Sequence, residues 1–597
     1  MFELRKRLTG LSTAPQPAQG RRQGLSRKPQ QRWSASIKVA FLVIFSARLL
    51  SAFLNIVHDC DEVFNYWEPL HYLFYGYGLQ TWEYSSQYAL RSYWYLLLHT
   101  GTLAPATVLL GDAEGKRMAF FLTRAGLGFI SAVVETALFR QTRLYAGDKV
   151  ARYLLLFLTA SSGMFVASTA LLPSTFAMYS MTAAAAAVLA RSPLAAEASA
   201  AIGIIWAWPV AAIAFLPYAI YVLLSTHLFT SVAAALGLLV FTLAPLVAAD
   251  RIFYGQWTVS LWNFLKYNVV GGGDSALYGV EPASYYVKNG ALNLNVALAL
   301  FCLYPLAVLL QLTRHSGTNV LLALAVCPAY VWFAAISALP HKEERFLYVV
   351  YPLVCLAAAA VLSSLPSVIQ QTATTIFPKP FHKTAGLVAR LTPRCCAAVF
   401  VLLSVSRLAA LLLGYGAPMH IYSKLPSRVP AHLAEANQTV PVCVAAEWYR
   451  FPSSFFLPSP IYRLQFVKSG FQGLLPRPFE ATVDGTAGSS PYFNDRNSEV
   501  AENSWDSIDE CAFLVKLQNE SPPHYDTKDW RLLASRRFLE AEQSPPLTRA
   551  LYIPFLSARS NVYTGYQLFV QTSWQQAVGL MSLPQHSQGQ AEEPSDI

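Results

Sequence analysis

Runs of about twenty apolar residues recur down most of the chain and limit its fold more than any other feature. A helix crossing a bilayer needs ~20 predominantly apolar residues, because a dry interior forces each backbone N–H and C=O to pair within its own segment. Such runs lie at about 37–57, 92–110, 117–139, 151–170, 174–190, 198–224, 228–248, 294–313, 318–339, 346–364 and 397–414. They predict a polytopic α-helical membrane protein with about 11 spans. Composition agrees: 54% of the 597 residues are hydrophobic and only 13% are charged, where a soluble domain carries about 25%. A net charge of +10 does not signal nucleic acid, since the basic residues lie before and between apolar runs and form no extended patch.

Residues 1–35 carry Arg5, Lys6, Arg7, Arg21, Arg22, Arg27, Lys28 and Arg32 against one acid, Glu3. With their Gln, Ser and Pro they read as a disordered basic tail, and they lack the apolar core of a cleaved signal peptide. Positive charge ahead of a first span places this tail in the cytosol. Residues 36–414 are then a multi-span domain, and an odd number of spans leaves 415–597 on the opposite side. The hydrophilic loops 58–91 and 250–293 share that side. A third stretch, 365–395, falls in the cytosol, as Lys379, His382, Lys383, Arg390 and Arg394 require. One connection conflicts: Arg140, Arg143, Lys149 and Arg152 are placed away from the cytosol. Removing a span near 92–110 would resolve it.

From about residue 415, prolines, polar residues and short alternating apolar runs predict a small α/β domain. It holds the sequons Asn437-Gln438-Thr439 and Asn519-Glu520-Ser521. Cys443 and Cys511 each sit in a strand-like run and would pair in an oxidising lumen; two buried thiols are the alternative. The other six cysteines lie in or beside apolar runs, and none of the eight has zinc-ligand spacing.

The loop 58–91 places Asp59, Asp61 and Glu62 at a membrane edge, followed by Trp67, Glu68, Trp82 and Glu83. A carboxylate near hydrocarbon is costly unless hydrated, paired or ligated, and low dielectric makes it a stronger base. Acids beside aromatic rings suit a sugar site, where rings pack on C–H faces and carboxylates accept hydroxyl protons. A hydrated loop with an interfacial aromatic belt fits the composition equally well. The spacing of Asp59 and Asp61 permits a metal without requiring one. A second cluster, His341, Lys342 and Arg345, stands before an apolar run, where cations and free N–H groups can hold a lipid-linked phosphate. An ordinary charged helix end is the competing reading. The segment Lys266 to Asn289 is rich in glycine and aromatics and reads as a loop over a site or a plain connector. Arg48, Arg124 and Glu135 are read as paired residues inside the bundle or as lining of a cavity. A transporter would need paired broken helices and internal repeats. No repeat is evident, though Trp208-Pro209 can interrupt a helix. A scaffold would leave the loop acids without a role.

Taken in order, HDCDEVFNYWEP, QTWEYS, RSYWYLLLH, GMFVASTALLPSTF, LYGVEP, NGALNLNVA, PHKEERFLYVVYPL and VCVAAEWYRFPSSFFLP resemble the endoplasmic-reticulum mannosyltransferases of glycosyltransferase family 22. The likeness covers about 40–570 and is greatest to the α-1,2-mannosyltransferase branch of N-glycan assembly; the GPI-anchor branch is the nearest competitor. Tyr348-Val349 and Ala283 depart from the usual pattern. The resemblance implies a GT-C fold facing the lumen of the endoplasmic reticulum. It implies dolichyl-phosphate-mannose as donor and a dolichyl-diphosphate oligosaccharide as acceptor, extended at its six- and eight-mannose stages, with membrane lipids around it and no metal or other cofactor. A β-linked donor and an α-linked product require inversion by one displacement, with a single carboxylate base. Asp61 is the expected base, with Asp59 and Glu62 beside it. His341, Lys342 and Arg345 are expected on the donor phosphate, and Trp67, Glu68 and Trp82 on the sugar.

Overall fold

The computed structural model describes residues 35–580, apart from 104, 106–111, 271–276, 278, 313–319, 377, 428–432, 434–437, 481–485, 488–491, 523–524 and 527. The expected tail therefore lies outside the described residues, except for Ala35.

Seven helices carry most of the bundle: α1 (Ile37–Leu54), α2 (Asp112–Ala146), α3 (Leu228–Tyr254), α4 (Val296–Leu312), α5 (Val320–Ala338), α6 (Tyr351–Ile376) and α7 (Phe381–Tyr415). Among the described residues six helices are long and apolar enough to cross a membrane. A seventh forms if Tyr285–Leu294 and α4, which meet at a 113° bend, count as one. The bend falls at Asn295, whose φ is +36°. Its side-chain oxygen accepts from the Val296 N–H at 2.6 Å and starts the next helix.

Three expected spans differ. The run 151–170 divides at the extended Ser161 into Asp148–Ala160 and Ser162–Ala167. In 92–110, the described part is an eight-residue helix, Tyr93–Thr100; residues 104 and 106–111 lie outside the described residues. The run 198–224 is not one helix. Pro193–Ile202 passes through a wide turn, Gly203–Ala207, to an extended Trp208 before Pro209, then to Ala212–Ser225. A residue before proline is pushed out of the helical region, so the chain breaks there. It folds back: a Cβ on Gly203 would lie 3.0 Å from the Phe215 ring, whereas twelve residues of straight helix extend about 18 Å. The helical 3.6-residue pattern persists on both sides of such a break, which hides it in the sequence.

Charges inside the bundle are paired. Arg48 on α1 donates to both oxygens of Glu135 on α2, at 3.0 and 2.7 Å, and to the Leu158 carbonyl. Arg124 donates to the Asn55 carbonyl at 2.7 Å. These residues join helices. Where α1 crosses α2, a Cβ on Gly128 would lie 3.0 Å from the Arg48 Cβ, so a small residue lets the backbones approach.

The C-terminal region contains a five-stranded sheet in the order β3-β2-β5-β7-β6. Its strands are β2 (Val440–Val444), β3 (Tyr462–Phe466), β5 (Phe513–Leu517), β6 (Trp530–Leu539) and β7 (Tyr563–Gln571). β2 lies parallel to β3 and β5, with Val442 opposite Leu464 and Phe513; β7 is antiparallel to β5 and β6. A disulfide joins Cys443 on β2 to Cys511 just before β5. Two-residue strands, β1 (Leu79–Gln80) in the first loop and β4 (Arg477–Pro478), pair antiparallel, so the first loop and the C-terminal region share hydrogen bonds. Asn519 is exposed and Asn437 lies outside the described residues.

Candidate active site

The first loop leaves α1 at Asn55 and reaches a short helical turn, Cys60–Glu62. Asp59 caps it: its Oδ1 accepts from the Asp61 N–H at 2.9 Å, satisfying a donor that a helix start leaves free. The cap turns the Asp61 side chain toward the start of α6. There the Arg345 guanidinium reaches Asp59 Oδ2 at 3.1 Å and Asp61 Oδ2 at 2.6 Å. Its Nε bonds Glu343. Two loops far apart in sequence thus meet through one cation and three carboxylates.

The two aspartates have different surroundings. Both Asp59 oxygens are engaged. Asp61 Oδ1 carries no hydrogen bond among the described residues, and the side chain is 40% exposed. Burial pushes the Asp59 pKa up to about 7, helped by Asp61 and Glu343 and opposed by Arg345. Burial acts upward on Asp61 too, but the charge and hydrogen bond of Arg345 outweigh it, with Arg91 and His341 pulling the same way. The carboxyl is held below its ordinary range. Asp61 is therefore an ionised, accessible oxygen at neutral pH.

His341 presents Nε2 to Glu343 at 2.9 Å and Nδ1 to the Gly279 carbonyl at 3.0 Å. Acceptors at both nitrogens favour the imidazolium, and the Glu343 hydrogen bond raises its pKa. Gly279 has φ +97°, a conformation an L side chain rarely adopts.

Several residues expected in the site have other work. The Lys342 ammonium is buried against the carbonyls of Glu281 (2.9 Å), Leu339 and Pro340, and so it ties the 277–284 segment to the turn before α6. Glu62 is buried and accepts from Trp67 Nε1 at 3.0 Å and the Leu171 N–H at 2.9 Å. The Trp67 ring is fully buried, 4.2 Å from Phe120 between centroids, so no sugar can pack on it. Glu68 is also fully buried and accepts from Leu79 N–H, Ser454 N–H and Ser454 Oγ at 3.0, 2.5 and 2.8 Å. Burial raises the pKa of both glutamates. Trp82 is partly exposed and packs edge-on to Tyr88 and against Tyr267.

Arg91 and Glu343 belong to the site and were not singled out from sequence. Arg91 donates to Tyr66 Oη at 2.7 Å and pairs with Glu83. It stands at the edge of a narrow cleft lined also by Tyr84, Tyr95, Trp206, Trp208 and Phe264. Glu343 was visible only as one acid in a charged run; its role depends on the side chain of Arg345 folding back beside it. Asp59, Cys60 and Asp61 offer ligand atoms within 4.8 Å of one another. Arg345 already supplies positive charge to both carboxylates there.

Residues 39–458 match the model of the Alg9-like mannosyltransferase family. The chain belongs to that family. This mannosyltransferase is 38% identical over 532 residues to the α-1,2-mannosyltransferase ALG9 of Arabidopsis thaliana, covering 88% of this chain and 90% of that one. It is 39% identical over 556 residues to the α-1,2-mannosyltransferase ALG9 of Homo sapiens, covering 91% and 90%. Among solved structures, ArnT from Cupriavidus metallidurans bound to undecaprenyl phosphate superposes with a TM-score of 0.47 at 13% identity, over 72% of this chain and 85% of that one. That likeness is too loose to define the fold.

Proposed function

We propose that this α-1,2-mannosyltransferase of N-glycan precursor assembly takes mannose from dolichyl-phosphate-mannose and adds it to the dolichyl-diphosphate oligosaccharide. It acts at the six- and eight-mannose stages, with a GT-C fold and an active site facing the lumen of the endoplasmic reticulum. The observation that carries the reading is Asp61: one oxygen is fixed by Arg345 and the other is free and accessible. Inversion needs one carboxylate to take the proton from the acceptor hydroxyl as the hydroxyl oxygen bonds the mannose C1 and the C1–O bond to phosphate breaks. The departing phosphate needs cationic contacts. His341, Arg345 and Arg91 stand around the acids and fill that role, while Lys342 positions the loop. The cleft beside Arg91 sets a cation next to the apolar rings of Trp206 and Trp208, the pairing of charge and hydrocarbon that a phosphate on a prenyl chain calls for. Trp82 remains the candidate sugar platform, and no metal ion takes part.

A scheme that drops 92–110 and counts the two halves of 198–224 as separate crossings, each shorter than the usual ~20 residues, also totals eleven and puts Arg140–Arg152 in the cytosol. The domains are the membrane unit 36–414 and the lumenal 415–597.

Cells lacking the protein test the assignment. Their lipid-linked oligosaccharides should accumulate at six mannoses, and restoring only that step should leave a second block at eight. Normal oligosaccharides together with lost GPI-anchored surface proteins would overturn it.

A further inference from the structure

The C-terminal region bears an apolar prominence in the wrong place for a water-facing domain. Between β6 and β7 the chain forms two short helical turns, Pro546–Ala550 and Leu556–Ser560. Leu547 is 58% exposed, Phe555 83% and Leu556 48%. Phe555 holds a φ of +64°, where a residue with a Cβ is strained. The backbone is thus bent against its preference, and the ring it carries is left uncovered. Buried Thr548 and Ser557 and their neighbours satisfy the backbone from within, while the long side chain of Arg559 stays exposed and can reach a headgroup as its stem lies along apolar surface. Asn561 Nδ2 donates to the Thr548 carbonyl at 3.0 Å, and Thr548 Oγ1 to Asn561 Oδ1 at 2.6 Å. Ile553 N–H donates to Ser557 Oγ at 2.8 Å, and Val562 N–H to Ser544 Oγ at 3.0 Å. A soluble loop does the reverse, turning polar groups out. Internal satisfaction of backbone polarity is what hydrocarbon demands.

Its height along α7 identifies what covers it. The end of β6 touches the top of α7, where a Cβ on Gly414 would lie 3.4 Å from Leu539. The prominence touches α7 two turns lower. Tyr552 N–H donates to the Ser406 carbonyl at 3.0 Å, Ser406 Oγ to the Tyr552 carbonyl at 2.9 Å, and Arg407 Nη1 to the Ala550 carbonyl at 3.1 Å. Seven or eight residues of helix descend about 12 Å. The apolar run of α7 reaches Leu413, so Ser406 and Arg407 lie inside it, beside the exposed Leu402 and Val405.

We infer that Leu547, Phe555 and Leu556 form a wedge inserted into the hydrocarbon of the membrane leaflet on the C-terminal side of α7, so that the sheet region is anchored in lipid as well as on the first loop. The occupant of this apolar face is acyl chain, because the face continues the exposed apolar surface of a spanning helix. The Arg407 guanidinium, deep in the same span, is partly satisfied by the wedge's own Ala550 carbonyl, which gives the dip a polar partner at membrane depth.

The full-length protein in nanodiscs doped with phosphatidylcholine carrying a diazirine in its acyl chain tests this. After illumination, trypsin releases residues 550–559, which contain Phe555 and Leu556, and residues 395–407 from α7 as an internal standard. Both peptides should carry lipid adducts at comparable yield. Adducts on 550–559 below a tenth of those on 395–407, or labelling of 550–559 only by a diazirine placed in the headgroup, would overturn the inference. So would crosslinks from 550–559 to a second protein chain in place of lipid.

Discussion

Asp59 and Asp61 stand two residues apart on one guanidinium and still behave oppositely. The ionised Asp61 with a free oxygen is suited to accept a proton, and its neutral amide would leave the cations Arg345, His341 and Arg91 in place. Asp61→Asn should lower kcat by about 10²- to 10⁴-fold, the usual contribution of general base catalysis, while still binding dolichyl-phosphate-mannose, and no more weakly than the wild type, because Arg345 loses a competing carboxylate. Substantial turnover in that variant would exclude Asp61 as base. Asp59, with a pKa near about 7, makes a second prediction. Its folded pKa is raised, so it gains a proton as pH falls through 7. Above that point its charge occupies part of Arg345; below it, Arg345 is freer for a phosphate. Donor affinity should therefore strengthen several-fold from about pH 8 to 6, and Asp59→Asn should flatten the change. A flat profile in the wild type would sink this account. The sequence HDCDE shows three acids, Asp59, Asp61 and Glu62, that look interchangeable. What separates them is the Asp59 cap and the arrival of Arg345 from 284 residues away, and neither has a local signal. Composition left a bland reading open for both the acidic first loop and the cationic turn; only the family resemblance put them in one site, and the contacts of Arg345 with Asp59 and Asp61 are where the two meet.

Among the elements, the first loop is held by a joint that the sequence presents as a sugar site. Trp67 and Glu68 adjoin in a motif that suits carbohydrate, yet both side chains are buried and bind Glu62, Phe120 and Ser454. Burial of a carboxylate with three donors is what stitches β1 and the Ser454 turn together. Glu68→Ala leaves those donors unpaired in the interior, at about 1–3 kcal/mol each. Thermal unfolding in detergent should show a clearly lower Tm, while the pH dependence of donor binding in the folded fraction stays as in the wild type. An unchanged Tm with lost acceptor binding would return Glu68 to the sugar pocket. Periodicity located most helices well, since an apolar run reads the same whether straight or broken. It missed breaks that backbone chemistry decides: at Ser161, at Trp208-Pro209, where only the proline gave warning, and after Thr100, where the Tyr93 helix is too short to cross.

Across the whole molecule, these local corrections change sidedness without changing the total. Reading 92–110 as a span and 198–224 as one gives eleven crossings; so does dropping the first and dividing the second. The two schemes disagree about one place, the turn between α2 and the helix Asp148–Ala160. The first puts it with the C-terminal region, and the second opposite to it. Charge favours the second, because Arg140, Arg143, Lys149 and Arg152 then obey the preference of basic loops for the cytosol. A single-cysteine comparison decides between them. With the free cysteines Cys60, Cys302, Cys327, Cys355, Cys395 and Cys396 changed to serine or alanine, Asp148→Cys and Asn519→Cys are each tested in sealed microsomes with a membrane-impermeant maleimide. Asp148 is exposed and its ion pair with Arg143 lies at the surface, so its replacement costs little. Asp148→Cys should react at once, and Asn519→Cys only after the vesicles are permeabilised. Protection of both positions would restore the span at 92–110. Reaction of both would make the Pro193–Ser225 segment a single crossing and carry the sheet region, with Asp61 still on the far side, into the cytosol. That arrangement would separate the first loop from the Ser454 turn it is bonded to, so the hydrogen bonds of Glu68 and the labelling of Asn519→Cys must agree about which side of the membrane the site occupies.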